Sequence, residues 1–138
     1  MANAASSIEL AVSADRVWKV IGGFGSLPEW LPYIPSSELS EGGRVRRLTT
    51  QDGRTIVERL MAFDERARLY TYHILEAPFP VVDYLSTIRV SDTGDGKSSR
   101  VDWVGEFTPV GVTDEEASAI FQAVYDDGLS GLLRGAIF

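Results

Sequence analysis

The side chains best placed for chemistry flank one tight turn. Gln51-Asp52-Gly53 has the composition of a three-residue hairpin loop, with the glycine at the left-handed position. Counting outward from it pairs position 50 with 54, 48 with 56 and 46 with 58. Arg46 then stands opposite Glu58. On a sheet face turned inward, such a pair needs further hydrogen bonds to offset its desolvation, and buried pairs of this kind often serve a site. The arginine could anchor a ligand's polar group. Alternatively, Glu58 could act as a base while Arg46 or a tyrosine stabilises an oxyanion, the chemistry of cyclase or aldol reactions. Arg46 beside Glu58 should hold the carboxyl pKa low, which weakens it as a base at neutral pH. Spacing alone leaves a third option, an exposed cross-strand ion pair worth a few tenths of a kcal/mol. Leu48, Ile56 and Leu60 share the side of Arg46 and Glu58, which favours the inner face.

Other reactive groups offer less. The chain has no cysteine, so thiolate chemistry, disulfides and cysteine-ligated metals are excluded. Its one histidine, His73, falls on the outer parity of its strand and is expected at the surface. Asp126-Asp127 reads as a solvated helix edge, and Asp92 to Asp95 as a hairpin turn. No nucleophile–base pair, phosphate loop or metal cluster is present, and no cofactor is expected.

The elements that must position Arg46 and Glu58 follow from periodicity. Ser7 to Val12 alternates as a strand. Ser13 then caps a helix from Ala14 to Ile21, and Ser26-Leu27-Pro28-Glu29 opens a second short one. Strands are predicted over Arg44 to Thr50, Thr55 to Asp64, Leu69 to Leu75, Asp83 to Ser91 and Ser98 to Thr108. Thr113-Asp114-Glu115-Glu116 is a capping box. It opens a long helix whose stripe is Ala117, Ile120, Phe121, Val124, Tyr125, Leu129, Leu132, Leu133 and Ile137. From Asp114 to about Ile137 it would be roughly 35 Å long, enough to cross a sheet of ten-residue strands. Gly128 and Gly131 weaken it, so packing must hold it.

Strand parity turns Tyr70, Tyr72, Tyr84, Ser86, Trp103 and Gly105 toward this helix. Tyrosine and tryptophan tips want partners when buried, and Ser86 and Gly105 leave volume open. That is the make-up of a cavity wall, although a plain aromatic core would look similar. The candidate ligand-binding residues are Trp30, Arg46, Glu58, Tyr72, Tyr84, Ser86, Trp103, Phe121 and Tyr125. Arg46 and Glu58 are also the catalytic candidates.

Composition bounds the rest. At 138 residues, 44% hydrophobic and 24% charged, the chain reads as one globular domain over 1–138. A net charge of -7 argues against nucleic acid and anionic membrane surfaces as partners. No apolar run approaches the roughly 20 residues of a membrane span, and Met1 to Ser7 is not a signal peptide. A cytoplasmic monomer or homodimer is expected, with a small hydrophobic molecule as its partner.

The order of elements and five motifs together resemble the START-like, or SRPBCC, helix-grip superfamily. More closely they resemble its bacterial polyketide cyclase/dehydrase and lipid transport branch. The motifs are Ile8 to Trp18, Phe24 to Pro32 (ending Glu-Trp-Leu-Pro), Gly43 to Leu48 with Val57 to Leu60, Tyr70 to Tyr84, and Val101 to Pro109. The resemblance implies an α+β fold: a curved antiparallel sheet of about seven strands wrapped around the C-terminal helix, with two short helices after strand 1. It also implies a cavity between sheet and helix, with Arg46 and Glu58 directed toward it. Many relatives have histidine where this chain has Leu31, so any role resting on that histidine is lost here. Two main functions compete: binding of a small hydrophobic or aromatic molecule, or a cyclase- or aldolase-type reaction on a polyketide-like or carbonyl substrate in the same cavity. A third reading, a domain that binds a partner through its surface, is permitted by the charge of -7 but has no named partner.

Overall fold

The computed structural model describes residues 1–31 and 33–134. Pro32 and Ile137 lie outside the described residues. Strand β1 (Ala2–Leu10) is followed by helices α1 (Ala14–Ile21) and α2 (Leu27–Trp30). Six strands come next: β2 (Ser36–Ser40), β3 (Val45–Thr49), β4 (Thr55–Asp64), β5 (Leu69–Glu76), β6 (Val81–Asp92) and β7 (Ser99–Pro109). Helix α3 (Asp114–Arg134) closes the described chain. All seven strands pair antiparallel in the order β1-β7-β6-β5-β4-β3-β2, so the N-terminal strand joins the last one and the two edges are β1 and β2. This is the α+β helix-grip fold. Among the described residues, no helix is long and apolar enough to cross a membrane.

The starts of α1 and α3 obey their caps, but at α2 Ser26 makes no cap bond; its hydroxyl donates instead to the carbonyls of Val20 at 2.7 Å and Gly23 at 2.6 Å. The Ser13 side chain accepts the Arg16 N–H, as expected at the head of α1. At α3 the capping box is reciprocal: Glu116 N–H donates to Thr113 Oγ1 at 3.1 Å, and Thr113 N–H donates to Glu116 Oε1 at 3.1 Å. The buried stripe of α3 is Ala117, Phe121, Tyr125, Leu129 and Leu132. Leu133, placed on this stripe by its apolar character, is 57% exposed because it lies about 100° around the helix from Leu132. Asp126 is exposed as expected, yet it ties α3 to β1 by accepting from Ser6 Oγ at 2.5 Å.

Three other elements differ from their sequence-based limits. The first strand begins at Ala2, five residues before Ser7. Its first half carries only small apolar side chains, Ala2 and Ala4, whose alternation is faint. Strand β2 has no counterpart in the sequence reading. It is a short edge strand with a polar surface, Ser-Ser-Glu-Leu-Ser, and periodicity cannot mark it. In β6 a bulge between Val82 and Leu85 sets two residues, Asp83 and Tyr84, against one of β7, Phe107. Asp83 takes φ 52 there. The bulge changes the side-chain phase, so that Val81 and Tyr84 both pack into the core.

Candidate functional site

The hairpin register places the central pair. Gly53 takes φ 83 in the β3–β4 turn, and Arg46 pairs with Glu58 as Leu48 pairs with Ile56. Both charged side chains, Arg46 on β3 and Glu58 on β4, face the cavity side of the sheet and are buried, at 1% and 6% exposure. Arg46 Nε and Nη2 each lie 2.7 Å from Glu58 Oε1. Nη1 donates to the Phe24 carbonyl at 3.1 Å and to the Tyr70 hydroxyl at 3.3 Å. The guanidinium carbon stands 4.2 Å from the Phe24 ring centre and 4.9 Å from that of Tyr72. An arginine so enclosed remains charged. Burial opposes its charge, but Tyr70 and Glu58 outweigh burial and hold its pKa above the ordinary value.

Glu58 corrects the sequence reading. Its pKa is raised, because burial pushes the carboxyl up by more than Arg46 pulls it down. Spacing revealed the partner but not the depth at which the pair sits.

A cavity of about 390 Å³ opens beside this pair. Its floor is Arg46, Leu48, Ile56, Glu58, Tyr72 and Ile74 from β3, β4 and β5. Phe121 and Val124 of α3 roof it, with Tyr84 and Trp103 on the far wall. Leu27, Leu31, Tyr33 and Ile34, from α2 and the segment after it, form the near wall. The mouth lies between the β3–β4 turn (Thr50, Gln51, Asp52 and Arg54) and the β5–β6 loop (Pro78 and Phe79).

Of the nine residues singled out from the sequence, Arg46, Glu58, Tyr72, Tyr84, Trp103 and Phe121 line this space; Trp30, Ser86 and Tyr125 stand behind its wall. Trp30 packs on Trp103 with ring centres 5.6 Å apart, and its indole N–H has no partner. Ser86 and Tyr125 belong to a buried hydroxyl cluster. Trp103 Nε1–H donates to Ser86 Oγ at 3.0 Å and to the Tyr72 hydroxyl at 3.1 Å. Ser86 donates to the Val104 carbonyl at 2.8 Å, and the Tyr125 hydroxyl donates to Ser86 at 3.3 Å. Tyr84 bonds to Tyr125 and, at 3.3 Å, to Tyr72. Burial raises the pKa of Tyr72 and Tyr84 well above the tyrosine value and pushes Tyr125 up to about 12.

The volume expected at Gly105 is therefore filled. A Cβ at that position would collide with the Tyr125 hydroxyl. The real opening lies farther along β3–β5, where Leu48, Ile56 and Ile74 are too short to reach α3. The near wall and the mouth were missed. Leu27 and Leu31 share a helical i,i+4 spacing, and Pro78-Phe79 is an apolar pair inside a loop, so both had a faint signal. His73 is half-buried and does not line the cavity.

A curved sheet gripping one long helix over a cavity is the architecture of START-like proteins. The chain belongs to the polyketide cyclase / dehydrase and lipid transport family, whose model matches residues 1–134. The protein XoxI from Bacillus cereus is 55% identical over 96% of this chain and 93% of its own, with a TM-score of 0.93. A Bacillus thuringiensis protein is 54% identical over 95% and 96%, also at 0.93. The ZhuI aromatase/cyclase from Streptomyces shares the fold at 20% identity, covering 98% of this chain and 90% of its own at a TM-score of 0.76. None of the curated proteins matches the chain.

Proposed function

We propose that this chain binds a small hydrophobic or aromatic molecule in the cavity between the sheet and α3, as a single ligand-binding domain working in the cytoplasm. The observation that carries this reading is the apolar space of about 390 Å³ with one charged pair buried in its floor. A volume in this range suits a small ligand, and mostly apolar walls with a few polar points are what such sites share. The family's association with cyclases and lipid transport agrees with it.

One observation favours a second reading, a cyclase- or aldolase-type enzyme. Burial moves the Glu58 pKa upward, toward the range of a useful base. Against it, Glu58 Oε1 is held by two nitrogens of Arg46.

Native mass spectrometry of the protein purified from its own host tests the first reading. A mass increment released on denaturation is the expected result. An empty protein that also fails to take up a naphthalene-based fluorescent probe would sink it. For the second reading, Glu58→Gln should abolish turnover of a carbonyl substrate while preserving its binding.

A further inference from the structure

The polar atoms of this cavity have a direction. A backbone carbonyl only accepts and an indole N–H only donates, so the two ends of the hydroxyl cluster are fixed. Ser86 must give its proton to the Val104 carbonyl. The Tyr125 proton therefore goes to Ser86. With that proton committed, the Tyr84–Tyr125 bond must use the proton of Tyr84. The Tyr72–Tyr84 bond must in turn use the proton of Tyr72. Tyr72 accepts from Trp103 Nε1–H, which agrees with the same order. The protons of all four hydroxyls are spent inside the cluster. Tyr72 and Tyr84 line the cavity, and only their lone pairs remain for a ligand.

The charged pair leans the same way. Both Arg46 contacts fall on Oε1 of Glu58, and no described residue donates to Oε2. Nη1 is engaged by Phe24 and Tyr70, which leaves Nη2 as the one guanidinium nitrogen with a spare N–H. A hydroxyl suits this corner, because it can donate to Oε2 and accept from Nη2. A ketone would leave Oε2 unanswered. A carboxylate would meet Glu58 as a like charge.

We infer that the polar lining at the inner end of the cavity, Tyr72, Tyr84 and Glu58, is a hydrogen-bond acceptor surface, and that its ligand is a neutral aromatic or polycyclic compound whose hydroxyl groups donate into it. This rests on the ligand-binding reading and narrows it to a chemical class. It also removes Tyr72 and Tyr84 as oxyanion stabilisers, since their protons are spent within the cluster.

Titration calorimetry with three probes of one size tests it: a naphthol, methylnaphthalene and tetralone. The naphthol should bind the wild type about tenfold or more tightly than either of the others, the scale of one buried hydrogen bond. Equal affinity for the naphthol and methylnaphthalene, or tighter binding of tetralone, overturns the inference while leaving a ligand cavity in place. If none of the three binds, the ligand-binding reading falls and the inference with it. Ser86→Ala supplies a second measurement from a residue outside the cavity lining. It frees the Tyr125 proton, so the chain can reverse and offer a donor from Tyr72. The naphthol-to-tetralone ratio should then shrink several-fold, and an unchanged ratio in a folded variant overturns the proton order.

Discussion

Arg46 and Glu58 meet across β3 and β4 with two guanidinium nitrogens on one carboxylate oxygen, at 2.7 Å each, beneath a cavity. Both are buried, so neither can find water if the other is removed. Arg46→Met should therefore destabilise the protein by about 3–5 kcal/mol, mostly from the stranded carboxylate. Arg46→Met with Glu58→Leu should recover most of that loss. Urea unfolding of the single and double variants decides it. A double variant no more stable than Arg46→Met alone would contradict this account.

Gly128 inverts the usual helix rule. In an exposed helix interior, alanine in place of glycine gains about 1 kcal/mol. Here a Cβ would stand 2.8 Å from Leu31 Cδ2 and 2.8 Å from Trp103 Cζ3. Leu31 can shift, but Trp103 is fixed by its bonds to Tyr72 and Ser86. Overpacking costs about 1–3 kcal/mol and should outweigh the helix gain. Gly128→Ala is expected to lower the thermal midpoint, and a rise would show that the α2 segment yields.

Asp83 should respond to backbone conformation more than to charge. Its φ of 52 lies in the left-handed region, in the bulge that turns Tyr84 inward. Asp83→Gly should be neutral or stabilising. Asp83→Val should cost about 1–2 kcal/mol, the penalty of the left-handed conformation. Chemical denaturation of the two variants separates these outcomes; equal stability would assign Asp83 a side-chain role.

The buried tyrosines set an alkaline limit. Tyr125 titrates near 10.0 when unfolded and at about 12 when folded, and burial also raises Tyr72 and Tyr84. Between those pH values the folded chain holds more protons than the unfolded one, so stability falls as pH rises. This contribution is intact below pH 10.0 and is lost as the pH passes through about 12. Tyrosinate absorbance should appear together with the loss of secondary structure. Smooth ionisation of Tyr72, Tyr84 and Tyr125 near the ordinary value, in a folded protein, would contradict their burial.

The hairpin shows how much was legible in the sequence. Gln51-Asp52-Gly53 defines the turn, the turn sets the register, and the register sets Arg46 against Glu58. Strand parity likewise sorted Tyr72, Tyr84, Ser86 and Trp103 onto the inner face, because side chains alternate with a period of two. Strand β2 escaped because its five residues carry one large apolar side chain, Leu39, and that one is exposed.

Sequence alone thus determined the order of the elements other than β2, the face most of their side chains take, and the partner of Glu58. These depend on short repeats and turn chemistry that act within a few residues. Only the tertiary structure decided which inner-face residues meet open space. Tyr125 comes from α3, far along the chain, and its ring fills the room above Gly105 and Ser86, whereas the short side chains of Leu48, Ile56 and Ile74 leave theirs open. The same docking buries Glu58 deeply enough to raise its pKa against the pull of Arg46, and it closes the hydroxyl chain that makes the cavity wall an acceptor. Volume and desolvation depend on what packs from a distance, which no local pattern records.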